Sequence, residues 1–304
     1  VVTMFVTYTA KYVESELPDP WKAFLSYRAG NIIAFMDNLM NNILYRDRYD
    51  ELSAHVASGL KVQKSFSDYS PDDLVNCDTF LAIDQILINW IVGRLTAEDV
   101  GATLNTLTIP QICDKRSKMH FGEKTGVCYR MLSSAYEIIQ AGNYRCPDGF
   151  RDILRQYQEE DFRLDCEYRW FYSAFDQIED TAEFEPLRDL VENIYTNEYL
   201  ETLLPKWNVA IQEPDALMAL PLQRDFFARN LSNAKERTVV IISDAMRYEV
   251  GKELFRRMQD DPKCTSKLEV QLGVLPSYTR LGMAALLPHS ELTMTDDFKV
   301  LIDG

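Results

Sequence analysis

Histidine is scarce in this chain. His55, His120 and His289 are all there is in 304 residues, and none stands where it could serve as the base of a nucleophile pair. A phosphate-cradling loop is missing too. The 12 glycines are scattered and no G-x-x-x-x-G-K-[ST] run occurs, which sets aside a P-loop nucleotide-binding ATPase. Cysteines at 77, 113, 128, 146, 166 and 264 include no C-x-x-C pair. Reduced thiols in a cytoplasmic protein are the expectation, and the spacing of Cys113, His120 and Cys128 matches no zinc framework. No run of about 18 apolar residues exists to span a membrane. The start, VVTMFVTYTAKYVESE, lacks the basic region and small-residue cleavage site of a secretory signal.

Positive charge is also short. Against 47 acidic residues stand 32 basic ones, a net charge of −15. A surface that coats DNA by counterion release is normally basic, so broad non-specific binding of that kind is disfavoured. A local cationic site, or a metal that supplies the charge, remains compatible. The densest basic cluster, Lys115, Arg116 and Lys118 with Lys124 and Arg130 nearby, reads by default as a solvated loop.

What is present is apolar and aromatic content for a sizeable core: 46% hydrophobic residues, 12% aromatic. Length allows one large domain or two ordinary ones. From Trp21 to about Leu220 the pattern is helical. Apolar residues recur at three- and four-residue steps in WKAFLSYRAGNIIAFMDNLMNNILY, which predicts a helix of more than five turns. CDTFLAIDQILINWIVGRL is apolar almost all round, as a helix inside a bundle would be. GFRDILRQYQEEDFRLDCEYRWFYSAFDQIED predicts a long amphipathic helix, with Tyr157, Phe162, Tyr168, Phe171 and Trp170 read as core, as is Trp90 in the preceding apolar segment. Shorter helices are expected over PLRDLVENIYTNEYLETLLPKW and LQRDFFARNLSN. The chain begins with Val1 and closes on DDFKVLIDG, read as an unfinished strand, so a piece of a longer protein is expected.

Near Asn230 the pattern changes. TVVII is a β-branched run apolar on both faces, which predicts a central strand covered on both sides. RYEVGKELFRRMQDD predicts a helix, KLEVQLGVL a second strand and RLGMAALL a second helix. That order is the βαβ signature of a parallel α/β domain. In such sheets ligands bind outside the carboxyl ends of the strands. Asp244, in TVVIISDAMRYE, ends the first strand, and Thr279, in LGVLPSYTRLGMAALLP, follows the second. A carboxylate at that edge suits a divalent cation; equally, Ser243 or Asp244 could cap the next helix. Arg247 and Glu249 could support the site or simply lie on the surface. Thr279 could likewise be an ordinary cap, although Gly282 stands where a capping-box Glu would be. A threonine hydroxyl is a poor nucleophile unless a base or a metal lowers its pKa.

The pair ISDAMRYE and LPSYTRLGMAALLP resembles the start of a PglZ domain, of the alkaline phosphatase superfamily found in bacteriophage-exclusion (BREX) defence systems. The resemblance implies a helical region over 1–230, then the beginning of an α/β alkaline-phosphatase-like domain over 236–304, with its parallel sheet incomplete. It implies Asp244 as a metal ligand and Thr279, last of a P-[ST]-x-[TS] turn, as both nucleophile and metal ligand, with Arg280 as a weak phosphate contact. The cofactor implied is a divalent metal, zinc, with a two-metal site only in the complete domain. Further Asp and His ligands would lie well downstream of the nucleophile, and His289 does not match them. The function implied is that of a fragment of a metal-dependent phosphatase or phosphodiesterase, inactive alone. Its substrate would be a phosphate ester or nucleic-acid phosphodiester, and its partners other proteins of a phage-defence complex. The alternative is a non-catalytic scaffold or docking module for such a complex.

Overall fold

The computed structural model describes residues 1–213 and 216–304. They divide into two compact units: Val1–Tyr144 with Glu167–Tyr199, and Arg145–Cys166 with Leu200–Gly304. The helical pattern expected through Leu220 includes residues 214 and 215, which lie outside the described residues.

The first unit is a helical assembly with one small hairpin, β1 (Thr103–Leu104) antiparallel to β2 (Leu107–Thr108). Its main helices are α1 (Val2–Tyr12), α2 (Ala29–Asn41), α3 (Arg46–Leu60), α4 (Leu81–Thr96), α5 (Ile109–Ser117) and α6 (Gly122–Gln140). In α4, Ile83, Leu87, Ile91 and Leu95 follow one another at four-residue steps and are all fully buried. The helix packs against α6 and against the helix Glu185–Asn193, as its apolar circumference predicts. α5 starts where its sequence says it should. Thr108 N–H donates to Gln111 Oε1 at 2.9 Å in a capping box, with Pro110 in the first turn.

The single long helix expected over WKAFLSYRAGNIIAFMDNLMNNILY is broken. Only Asp19–Lys22 is helical before α2 begins. Ser26 Oγ accepts the Arg28 N–H at 3.1 Å, a local side-chain turn that competes with the helical ladder. The stripe of 157–171 is also only partly core. Phe162 and Phe171 are buried, Tyr157 and Tyr168 half-buried, and Trp170 is 41% exposed. Trp170 therefore departs from the core reading; the Arg169 guanidinium sits 5.4 Å from its ring.

In the basic cluster, Lys115, Arg116, Lys118 and Lys124 all meet partners within the first unit. Lys118 pairs with Asp114, Lys124 with Asp50, and Lys115 donates to Asn76. Arg116 is not on a loop at all: it is fully buried in α5. Its Nε donates to Asp84 Oδ1 at 2.9 Å and its Nη1 to the Cys77 carbonyl at 2.8 Å. Tyr129 Oη donates to the same Asp84 oxygen at 2.7 Å, and Asp78 Oδ1 lies 3.8 Å from Nη2. Burial alone would lower the Arg116 pKa, but the adjoining carboxylates more than reverse this. Four segments are tied through one guanidinium.

In the second unit, α7 (Tyr248–Gln259) and α8 (Thr279–Ala285) form where the periodicity places them. α8 buries Leu281, Ala284 and Ala285, one face at three- and four-residue spacing. It packs on an antiparallel hairpin of β3 (Leu292–Met294) and β4 (Val300–Ile302). The terminal stretch read as an unfinished strand is therefore paired. The parallel sheet is a different matter. TVVII is extended chain with no ladder, and Val239 and Ile241 are 72% and 89% exposed. A β-branched run favours extension, but a strand exists only through a neighbour's N–H and C=O groups. Among the described residues none pairs with it. The one parallel bridge among the described residues joins Leu222 to Leu272, so the KLEVQLGVL segment meets residues 221–223 instead of TVVII.

Removing one partner of a buried ion pair leaves the other charge without compensation. Arg116→Ala should therefore destabilise the first unit by about 3–5 kcal/mol in urea unfolding. A loss below about 1 kcal/mol, the range of surface pairs, would show that Arg116 does not hold these segments together.

Candidate functional site

The candidate site is built on the second unit's Gln223. Its backbone N–H donates to the Leu272 carbonyl at 2.9 Å, and Leu272 N–H donates to the Pro221 carbonyl at 2.9 Å. The side-chain amide then spans the turn that follows: Val274 N–H donates to Oε1 at 3.0 Å, while Nε2 donates to the Gly282 carbonyl at 3.1 Å. One residue thus fixes both ends of the segment that carries Pro276, Ser277, Tyr278 and Thr279. A Cβ added at Gly273 or Gly282 would lie 3.5 Å from the Gln223 amide, ordinary contact, so the glycines let the amide approach without being forced by it.

Gln223 lines an open cleft of about 610 Å³. Ile242 to Arg247 form part of its wall, and Gly273, Val274 and Ser277 to Thr279 another part. Asp244 and Thr279, remote in sequence, line this one cleft and are both exposed. Arg280 is exposed but is not among the lining residues, and neither is His289, whose Nδ1 lies 2.8 Å from the Leu287 carbonyl. Arg247, which the sequence left open between support and surface, is the only cationic side chain among the described lining residues.

Both capping alternatives can now be judged. α7 begins at Tyr248 with Arg247 in the capping position, so neither Ser243 nor Asp244 caps it. Asp244 Oδ1 accepts only the N–H of Ala245, at 3.0 Å. Ala245 itself takes a left-handed conformation, φ +55°, which costs a non-glycine residue about 1–2 kcal/mol. That turn sets Asp244 at the cleft wall. At α8 the capping position is Tyr278, and Thr279 is the first helical residue, with no side-chain cap bond. α8 is only seven residues long, so its dipole adds little.

A divalent cation would find two hard oxygen donors here, the Asp244 carboxylate and the Thr279 hydroxyl. Oxygen donors suit such ions, but a zinc site uses about four ligands. Among the described residues no group of three or more His, Cys, Asp or Glu side chains comes together to hold a metal. The donor set fits a cation as part of a larger set.

Residues 225–304 match the model of the BREX system PglZ alkaline phosphatase-like domain. The cleft thus lies in an alkaline phosphatase-like domain. The chain is a partial match to the PglZ family. It is 32% identical over 314 residues to the alkaline phosphatase-like protein PglZ of Bacillus cereus (strain H3081.97), an alignment covering 100% of this chain and 36% of that protein. It is 32% identical over 280 residues to the alkaline phosphatase-like protein BrxZ of Escherichia coli O9:H4 (strain HS), covering 86% of this chain and 32% of that protein. The chain spans about a third of the length of these curated relatives. No solved structure matches it. Among the described residues, no helix is long and apolar enough to cross a membrane.

Sequence reasoning missed Gln223, which it placed in an ordinary helical segment, and no signal in LQRDFFARNLSN marks it out. Gln223→Ala removes two hydrogen bonds, each worth about 0.5–1.5 kcal/mol, and should free the turn. Hydrogen exchange at 272–282 should quicken by about tenfold or more while exchange in α4 and α6 stays unchanged. Unchanged exchange at 272–282 would show that Gln223 is not the clamp.

Proposed function

We propose that this chain is part of a metal-dependent phosphoryl hydrolase of a bacterial anti-phage defence system, with Thr279 as nucleophile and Asp244 as a metal ligand. The observation that carries the reading is the shared cleft: a carboxylate and a hydroxyl on separate segments open into one solvent-accessible space. The relatives' names, and the family model over 225–304, support the same chemistry.

In this mechanism the Thr279 oxygen attacks phosphorus, the bond to the leaving oxygen breaks, and the hydroxyl proton leaves through solvent to protonate the departing alcohol. Water then hydrolyses the phosphothreonine ester and restores the hydroxyl. Asp244, whose carboxylate lines the same cleft, would help hold the cation. A bound divalent ion, which we take to be zinc, would neutralise phosphoryl charge and lower the hydroxyl pKa. That assistance is needed because no histidine lines the cleft. The substrate is a phosphate monoester or a phosphodiester; the net charge of −15 weighs against a large non-specific nucleic-acid footprint. Residues 236–304 would be the beginning of the hydrolase domain and the helical region over 1–230 a recruiting module in a cytoplasmic complex. The exposed TVVII segment supports that organisation, because an apolar run of this kind is normally covered on both faces. The purely scaffolding alternative is less favoured, since it gives no reason for a carboxylate, a hydroxyl and a guanidinium to line one cleft.

In a protein of the relatives' full length, Thr279→Ala should abolish hydrolysis of monoester and diester substrates without changing the far-ultraviolet circular dichroism spectrum. Asp244→Asn should lower zinc affinity at least about tenfold by calorimetry. Full activity in Thr279→Ala would remove that residue from the chemistry. The present chain by itself should bind zinc weakly and turn over little substrate.

A further inference from the structure

We infer that Arg247 is the cation that binds the phosphoryl group in this cleft, and that the buried carboxylate of Glu249 positions it. The inference rests on the phosphoryl-transfer reading above and assigns the anion contact to Arg247 instead of Arg280.

Three observations converge. Arg247 lines the cleft shared by Asp244 and Thr279, and no other described lysine, arginine or histidine does. A phosphate entering there next to the Asp244 carboxylate needs a compensating positive group, and an arginine fork matches phosphate oxygens in geometry and charge. Second, the arginine is not a loose surface chain. Its Nη2 lies 2.7 Å from Glu249 Oε1, and Glu249 is fully buried while the Arg247 side chain is 60% exposed. The guanidinium is anchored at its inner edge and open at its outer one.

The third observation is the cost of the anchor. Neither Glu249 carboxylate oxygen accepts a hydrogen bond from any described residue, and Oε1 meets Arg247 as an ion pair. A buried carboxylate with an orphaned oxygen is expensive, and an arginine of no use beyond the surface would be hydrated just as well without it. Aromatic walls account for the dryness. The Tyr248 ring lies 5.9 Å from that of Tyr157 and 6.3 Å from that of Phe162. Burial, then the Asp165 and Glu249 carboxylates, push the Tyr157 phenol well above its ordinary pKa. In this apolar surround the pairing is stronger than in water, which fixes the guanidinium before the ligand arrives. A preorganised cation of this kind acts without reorganising during the reaction.

Two measurements test the assignment separately from the hydrolase reading. The first needs no turnover: phenylglyoxal modification of the 304-residue chain, mapped by mass spectrometry with and without inorganic phosphate. Arg247 should be protected by phosphate about threefold or more and Arg280 should not. In a folded Glu249→Gln variant that protection should fall, because the fork loses its anchor. Protection of Arg280 instead, or no effect of phosphate on Arg247, overturns the proposal; full protection in Glu249→Gln removes Glu249 from it. The second is steady-state hydrolysis of p-nitrophenyl phosphate by the full-length protein. Arg247→Ala should raise KM about tenfold or more, and Arg247→Lys should recover part of it. An unchanged KM in Arg247→Ala also overturns the proposal. If the wild-type and Thr279→Ala proteins are equally inactive, it is the hydrolase reading that fails, and phosphate protection still decides the role of Arg247.

Discussion

One side-chain amide holds the wall of the cleft that carries Thr279. Gln223 holds Val274 with its oxygen and Gly282 with its nitrogen, and so fixes the turn that presents Thr279. Without it, the segment would be tied by the parallel bridge at Leu222 and Leu272 and by the apolar face of α8. A bridge of one residue pair is far short of a stable sheet. The amide supplies the definition that a ladder supplies elsewhere.

The opposite wall is defined differently. There the left-handed Ala245 aims Asp244 at the cleft, and the Arg247–Glu249 pair closes the turn on its far side. The result is a small polar constellation of one carboxylate, one hydroxyl and one guanidinium in a chain that is strongly acidic overall. Its local charge balance sets it apart from the first unit, where the comparable ion cluster at Arg116 and Asp84 is fully buried. Arg116 joins helices; Arg247, anchored inside and open outside, faces solvent and whatever binds there.

Asp244 and Thr279 stand out in the sequence because each sits in a short, chemically specific motif, ISDAM and PSYT, and the fold sets both on the wall of one cleft. Helix positions in the second unit were legible too, since α7 and α8 carry three- and four-residue periodicity. The sheet was not. TVVII advertises extension, but its partner is a matter of topology, and the parallel contact went to residues 221–223. Gln223 escaped because a clamp depends on what lies across from it, and Trp170 was misread because helical spacing does not say which aromatic ends at the rim. Arg247 and Arg280 both follow a site residue within three positions, and only the fold separates the one in the cleft from the one outside it.

Asp244 and Thr279 line one cleft, and the proposed chemistry requires both to ligate one ion. A crystal structure of the full-length protein soaked in zinc, with the metal located from its anomalous signal, decides this. The zinc peak should have an Asp244 carboxylate oxygen and Thr279 Oγ1 both at about 2.0–2.2 Å. Zinc held elsewhere, or the two side chains facing separate surfaces, would contradict it.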